Sequence, residues 1–534
     1  MLYLQAGNSI TKQERVKVEI YLKRMKLKKL KIKNFRSYKE EVEIEFGNLT
    51  AFVGKNDIGK STILEALDIF FNEGKGIVKL DKDDINKQAI AEGDNEIVIS
   101  VCFEELPTSI VIDSTNETTL QAEHLLNSSN QLEIIKKYPS AGKEKVFVKA
   151  NHPTNSNCGD LLQKKNTELQ KIIRDNSITC SDQTKNAVMR TAIWNHYHTD
   201  LQFSEIEIDV TKGDTKSIWD KLQIYLPLYS LFQSDRKNSD GDSEVQDPLK
   251  EAVKQILSDT ALKAKFEEIA TEVKTKLQDV VTRTLEKVRE MNPEIANTLN
   301  PIIPSTDSLK WTDVFKSVSI TGDEDIPINK RGSGVKRLIL LNFFRAEAER
   351  RRQDANIPSI IYAIEEPETS QHTEHQKKLI QAFLTLSDTE NTQVIITTHS
   401  AALVKELKFE HLRLIKANAV NKTIENVQPN ELPYPSLNEV NFLAFSEISE
   451  EYHNELYGHI EFEGKINDFK NGKAQDKDYR KVRHGTEVSE RLILTEYVRH
   501  QIHHPENMLN TRFTTEQLKE SIELMRTFIR TLMI

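Results

Sequence analysis

The sequence predicts an α/β fold: a split head with a mixed central sheet, an inserted helical arm and a small, mostly helical C-terminal domain. Three observations predict it. An apolar strand runs through a glycine-bearing turn into an amphipathic helix at "TAFVGKNDIGKSTILEALDIFF", residues 50–71. Two later runs, "SIIYAIEEPE" (359–368) and "TQVIITTHS" (392–400), have the continuous apolar character of strands buried on both sheet faces. The long stretch between them and the first strand includes "DPLKEAVKQILSDTALKAKFEEIATEVKTKLQDVVTRTLEKVREM", which has helical spacing and no internal glycine or proline.

At 534 residues the chain has room for roughly three domains. Hydrophobic residues make up 38% and charged residues 29%, with a formal net charge of −9. Substantial cores can form, but no global positive field draws in nucleic acid, so any such surface is local. Cys102, Cys158 and Cys180 are too far apart for a metal knuckle and odd in number for a disulfide framework, which suits a reducing compartment. No apolar run reaches the ~18 residues of a membrane span, and no signal-peptide core follows the N-terminus. The expectation is a soluble, cytoplasmic protein with no membrane association.

Residues 1–25 are polar and weakly patterned and read as an N-terminal extension, with Met25 a candidate native start. A first lobe, 26–105, opens on "KLKKLKIKNFRSYKEEVEIEF", where Leu27, Leu30, Ile32 and Phe35 interleave with lysines as in a half-buried strand. The lysines read as a solvated strand face rather than a phosphate-binding stripe. Residues 54–61, Gly54-Lys55-Asn56-Asp57-Ile58-Gly59-Lys60-Ser61, fit G-x-x-x-x-G-K-[ST] and are followed by Thr62. Gly54 and Gly59 allow the backbone to aim N–H groups at phosphate oxygens, and the helix N-terminus adds partial positive charge. Lys60 is placed for the β- and γ-phosphates, and the Ser61 hydroxyl for Mg2+. The strand at 360–364 ends in Glu365-Glu366. Glu365 is assigned to the metal and Glu366 to general base, deprotonating the attacking water. His399, at the tip of the other strand, is a candidate γ-phosphate sensor. Ahead of the acid strand, "INKRGSGVKRLILLNFFRAEAERRR" reads as a glycine turn opening a helix.

In this order the segments resemble the ABC-type ATPases of the RecF, SMC and OLD group. "KIKNFRSYKE" with "GKNDIGKST" matches the N-terminal lobe, "RGSGVKRL" the signature, "IEEPE" Walker B and "TTHS" the switch histidine, over residues 26 to about 410. The resemblance implies ATP and Mg2+ as ligands and a homodimer or higher oligomer that sandwiches ATP. In that arrangement Arg331, Gly332, Ser333, Gly334 and Lys336 of one subunit would cover ATP on the other, with Ser333 and Gly334 at the γ-phosphate. Arg-Gly-Ser-Gly-Val in place of Leu-Ser-Gly-Gly-Gln, and Glu365 where most ABC proteins carry Asp, are OLD-like departures. For a Q-loop the segment "LDKDDINKQ" offers only Asp83, Asp84 and Gln88.

Residues 106–245 read as an insertion, polar and irregular through residue 200 except for a helical stretch at "CGDLLQKKNTELQKIIRD". Residues 246–300 read as a short helical arm, 301–415 as the second lobe and 416–534 as the helical C-terminal domain. A TOPRIM nuclease domain is not expected: Glu461 or Glu463 and Asp476 with Asp478 lie too close together and lack the intervening buried strand. Arg499 to His504 fit R-[NHD]-x-x-x-H, the short motif of HEPN ribonucleases, in which arginine meets phosphate charge and histidine moves a proton. A helix end with packed histidines fits the same residues, and a zinc site from His484, His500 and His504 lacks a fourth ligand.

An OLD-like head, a modest arm and a helical tail most resemble the ATPase subunits of prokaryotic antiphage defence modules, of the PtuA type found in Septu and in retrons. That resemblance implies a partner HNH nuclease (PtuB-like) gated by the ATPase. In a retron it also implies a reverse transcriptase with its ncRNA and msDNA, so that nucleic acid is met through the complex. Two alternatives stay open: an ATPase-regulated HEPN ribonuclease acting through Arg499 and His504, like anticodon nucleases, and a RecF-like DNA repair ATPase.

Overall fold

The computed structural model describes residues 25–73, 76–112, 116–211, 215–233, 359–369, 373–417, 422–427, 432–433 and 436–532, with scattered positions between 256 and 282 and at 342, 344 and 346. The described positions of the expected arm are helical; the rest of it lies outside the described residues, as do the N-terminal extension before Met25 and the signature residues Arg331, Gly332, Ser333, Gly334 and Lys336.

Two six-stranded sheets build the head. The first is antiparallel throughout, in the order β2 (Val42–Glu45), β1 (Lys26–Lys33), β4 (Glu96–Glu104), β7 (Leu132–Pro139), β8 (Lys145–Pro153) and β9 (Phe203–Asp209). In β1 the apolar residues Leu27 and Leu30 are three apart, a spacing that regular pleating would send to opposite faces. A register shift between Leu27 and Lys29 inserts the extra residue, so both are buried with Ile32. The interleaved lysines pair across the sheet: Lys29 with Glu43 at 2.6 Å, Lys31 with Glu133 at 2.8 Å and Lys33 with Asp94 at 3.0 Å. They form a salt-bridged strand face.

The second sheet runs β10 (Leu228–Phe232), β11 (Ile360–Glu365), β12 (Thr392–Thr398), β3 (Leu49–Val53), β13 (Leu412–Ala417) and β14 (Lys422–Asn426). Its first five strands are parallel and β14 is antiparallel, giving the mixed sheet. The helix Lys60–Asn72 packs between the two sheets through Ile63, Leu64, Leu67 and Phe70. Ile361 and Ala363 of β11 join that core, while Ile360, Tyr362 and Ile364 join a second core under the helix Thr373–Ser387. Burial on both faces is why these strands read as unbroken apolar runs.

The expectation of an irregular segment through residue 200 is corrected. β7 and β8 belong to it and extend the first sheet, because Leu132 and Ile134 in one strand and Val146, Val148 and Ala150 in the other fall on its buried face. A short hairpin, β5 (Ile110–Val111) and β6 (Glu117–Thr118), and the helices Asn166–Asp175 and Asn186–His196 complete the region. The first of these helices falls in the stretch where one was expected. Cys102, Cys158 and Cys180 are free thiols.

The C-terminal region forms its own core, in which Tyr452, Leu456 and Ile460 of the helix Glu450–Phe462 meet Val498, Ile522, Met525 and Ile529 from the helices Leu494–His503 and Thr515–Leu532. It also carries an antiparallel hairpin, β15 (Lys477–Arg483) and β16 (Thr486–Leu492), beside its helices. Among the described residues no helix is long and apolar enough to cross a membrane.

Candidate functional site

Parallel strands place their C-terminal ends side by side, and here three such ends converge. β3 runs into the phosphate loop, β12 lies beside it and ends just before His399, and β11 is next in line and ends at Glu365. Ser61 and Glu365, 304 residues apart in sequence, are brought into contact, with the Ser61 hydroxyl donating to Glu365 Oε1.

The loop has the backbone that its glycines require. Gly59 has φ 101° and Asp57 φ 61°, and a Cβ on Gly54 would come within 3.0 Å of Ile58 Cγ2 and 3.3 Å of the Ile415 carbonyl. Lys55, Asn56 and Asp57 form an exposed crest, with Ile58 half-buried behind it. No side chain caps the helix that starts at Lys60, so the N–H groups of its first turn, Thr62 included, are available to an anion. Lys60 is 4% exposed; its Nζ donates to the Gly54 and Lys55 carbonyls, both at 2.9 Å, and lies 3.9 Å from Glu366 Oε1. Burial lowers its pKa, with Glu366 and Glu368 opposing.

The acids divide by environment. Burial raises the pKa of Glu365, the Ser61 hydrogen bond opposes, and the nearby charges of Glu65 and Glu366 add to the rise. A hydroxyl and a carboxylate in contact are hard oxygen donors of the kind Mg2+ takes, and a carboxylate crowded by like charges is stabilised by a cation, so the pair fits that metal. Glu366 has φ 41°, held by its N–H donating to the Thr397 carbonyl and hydroxyl at 3.1 Å each. His399 Nδ1 lies 3.2 Å from Glu366 Oε1 and 3.4 Å from Glu368 Oε1.

Three residues near this site escaped the sequence reading. Glu368, 4% exposed, accepts from the Thr398 hydroxyl at 2.7 Å and the His399 N–H at 2.9 Å, fixing the strand end that carries His399. Its signal was the third acid of "IEEPE". Arg36, from "NFRSY", pairs with Asp84 at 2.7 Å and with Glu65 on the phosphate-loop helix. Asp84 is thereby committed to Arg36, while Asp83 and Gln88 are exposed, so the segment offered for a Q-loop supplies a buttress. Lys422 beside Gly59 had no signal in sequence.

The C-terminal candidates are engaged separately. Arg499 lies over the Tyr457 ring at 3.8 Å and pairs with Glu461 at 3.2 Å. His504 bonds Glu506 at 3.2 Å and stacks towards His500, which lies on Tyr479 of the hairpin. Asp478, considered above for TOPRIM, faces Arg491 at 3.4 Å. Among the described residues no group of three or more His, Cys, Asp or Glu side chains could hold a metal ion.

An "OLD nuclease" of Thermus scotoductus is 22% identical over 409 residues, 74% of this chain and 63% of that protein, so the chain spans under two thirds of that relative's length. Among solved structures, the SMC head domain from Thermotoga maritima matches at 13% identity with a TM-score of 0.32, covering 76% of this chain and all of that one. A Pyrococcus furiosus Smc head with an extended coiled coil, bound to the C-terminal domain of ScpA, matches at 13% identity and a TM-score of 0.37, over 76% of this chain and 96% of that one. The family model of the AAA ATPase domain (AAA_15) matches residues 25–404, which take in the phosphate loop, both acids and His399. The chain belongs to the AAA ATPase family.

Proposed function

We propose that the chain binds ATP with Mg2+ and hydrolyses it between two copies of itself, and that this cycle gates a nuclease in an antiphage defence complex. The contact between Ser61 and Glu365 carries the first part: it joins the two halves of a metal-nucleotide site from opposite ends of the head. The Ser61 hydroxyl and Glu365 would hold Mg2+, which when bound would supply positive charge against the phosphates. Lys60 exchanges the Gly54 and Lys55 carbonyls for phosphate oxygens, a stronger charge-assisted bond. Glu366 Oε1 accepts a proton from the water that attacks the γ-phosphorus, and His399, 3.2 Å away, orients that carboxylate and bonds the γ-phosphate. Ser333 and Gly334 of the second copy, with Arg331, Gly332 and Lys336, complete the cover.

The defence role is supported by the OLD-like character of the motifs and by a relative that bears the name of a nuclease. The PtuA-type resemblance supports a separate HNH subunit as the gated enzyme, joined in a retron by a reverse transcriptase and its msDNA. The separate engagement of Arg499 and His504 favours that partner over a ribonuclease in this chain.

Two variants test the site. Lys60→Ala is expected to lose ATP binding, and Glu366→Gln to keep binding while hydrolysis falls by about two orders of magnitude or more. Hydrolysis by Glu366→Gln at the wild-type rate overturns the base assignment. Co-purification with the products of neighbouring genes tests the partner: an HNH protein that co-elutes supports the gating role, and a complex without any nuclease contradicts it.

A further inference from the structure

Lys422 is the first residue of β14, opposite Ala417 at the end of β13, and β13 lies directly beside β3. This register brings Lys422 to the end of the sheet from which the phosphate loop departs. Its Nζ lies 3.2 Å from the point that a Cβ on Gly59 would occupy, next to the Ser37 and Tyr38 hydroxyls, and 5.8 Å from the Tyr38 ring centroid. The Tyr38 hydroxyl in turn donates to the Gly59 carbonyl at 3.1 Å.

The other lysine of this hairpin has a partner: Lys416 pairs with Glu425 at 2.8 Å. Lys422 forms no ion pair among the described residues, although it is partly buried. Burial lowers its pKa, and Asp57 on the loop crest is the charge that opposes. A partly buried ammonium beside an uncapped helix N-terminus, with no carboxylate in contact among the described residues, is completed by an anion.

Sheet order says which part of the nucleotide that anion belongs to. Glu365, Glu366 and His399 come from β11 and β12, on one flank of β3, and the γ-phosphate is drawn to them. Lys422 comes from the opposite flank, across β13. A phosphate chain lying across the loop therefore presents its nucleoside end to Lys422. We propose that Lys422 is a second nucleotide-binding cation, contacting the α-phosphate of a bound nucleoside di- or triphosphate; this rests on the phosphate loop holding a nucleotide, as above.

The α-phosphate is common to substrate and product, so Lys422 holds ADP as well as ATP, whereas the γ-phosphate contacts distinguish the two. The test is the dissociation constant of ADP and of ATP, each with Mg2+, for the full-length wild type, Lys60→Ala, Lys422→Met and Lys422→Arg. Lys422→Met keeps an unbranched aliphatic side chain at this position, so loss of fold does not mimic loss of charge. The expected result is a weakening of about tenfold for both nucleotides in Lys422→Met, recovered in Lys422→Arg. ADP binding by Lys422→Met within twofold of wild type overturns the proposal while leaving the phosphate-loop site intact. A weakening confined to ATP overturns the α-phosphate assignment, and a wild type that binds neither nucleotide removes the underlying site as well.

Discussion

Glu365 is held in the cradle against burial and against Glu65 and Glu366, and its folded-state pKa is raised above the ordinary 4.5. The folded chain therefore binds this proton more tightly than the unfolded chain, and the charged carboxylate opposes folding increasingly as pH rises from 4.5 through the raised value. Glu365→Gln removes that opposition. Its nucleotide-free melting temperature should exceed wild type by roughly 2 °C at pH 7, with the gain shrinking towards pH 4, while ATP hydrolysis is lost. A thermal melt showing no gain at pH 7 contradicts the account of this carboxylate. Glu365, Glu366, His399 and the loop were legible in sequence because each is a fixed chemical type at the end of an apolar strand or beside its own glycines. The roles of Glu368 and Lys422 were not, even though Glu368 stands out as a third acid, since they come from neighbours distant in sequence: Thr398 and His399 for the one, Gly59 for the other.

Among the elements, the β7–β9 region was the least legible, and its chemistry explains why. "LEIIKKYP" and "KVFVKANHP" each bury a face while carrying lysines, so neither gives the continuous apolar run that announced β11 and β12. In β1 the bulge between Leu27 and Lys29 broke the period that would have signalled a regular strand, though the burial of both leucines could still be read. The helices of this region are tied to the hairpin side by a buried ion pair, Arg190 to Glu123 at 2.7 Å, whose carboxylate also accepts from Thr118 at 2.8 Å. With both side chains almost wholly inaccessible, Arg190→Ala leaves an uncompensated buried charge and should destabilise the protein by about 3–5 kcal/mol in a urea melt. The double variant Arg190→Met/Glu123→Met should recover most of that, because the cost lies in the orphaned charge. A loss below about 1 kcal/mol in Arg190→Ala would show that the carboxylate is solvated or otherwise satisfied.

For the whole molecule, chain order and sheet order differ, and the site depends on the difference. The loop and the acids are far apart in sequence, yet only β12 stands between their strands. The motifs announced such a head and, through the resemblance, its mixed sheet, while the apolar runs announced its buried parallel strands; the hairpin beside the C-terminal helices could not be expected, since its strands are largely exposed and polar. Partners are the least legible of all, because they depend on surfaces that no local pattern encodes. In the proposed cycle ATP on one head is closed over by another, and hydrolysis through Glu366 releases the pair. Analytical ultracentrifugation of Glu366→Gln with and without Mg-ATP separates the closed pair from single heads. ATP should shift the protein to a stable species with twice the heads, a shift absent in Lys60→Ala; a Glu366→Gln protein that binds ATP yet sediments identically with and without it would contradict the claim.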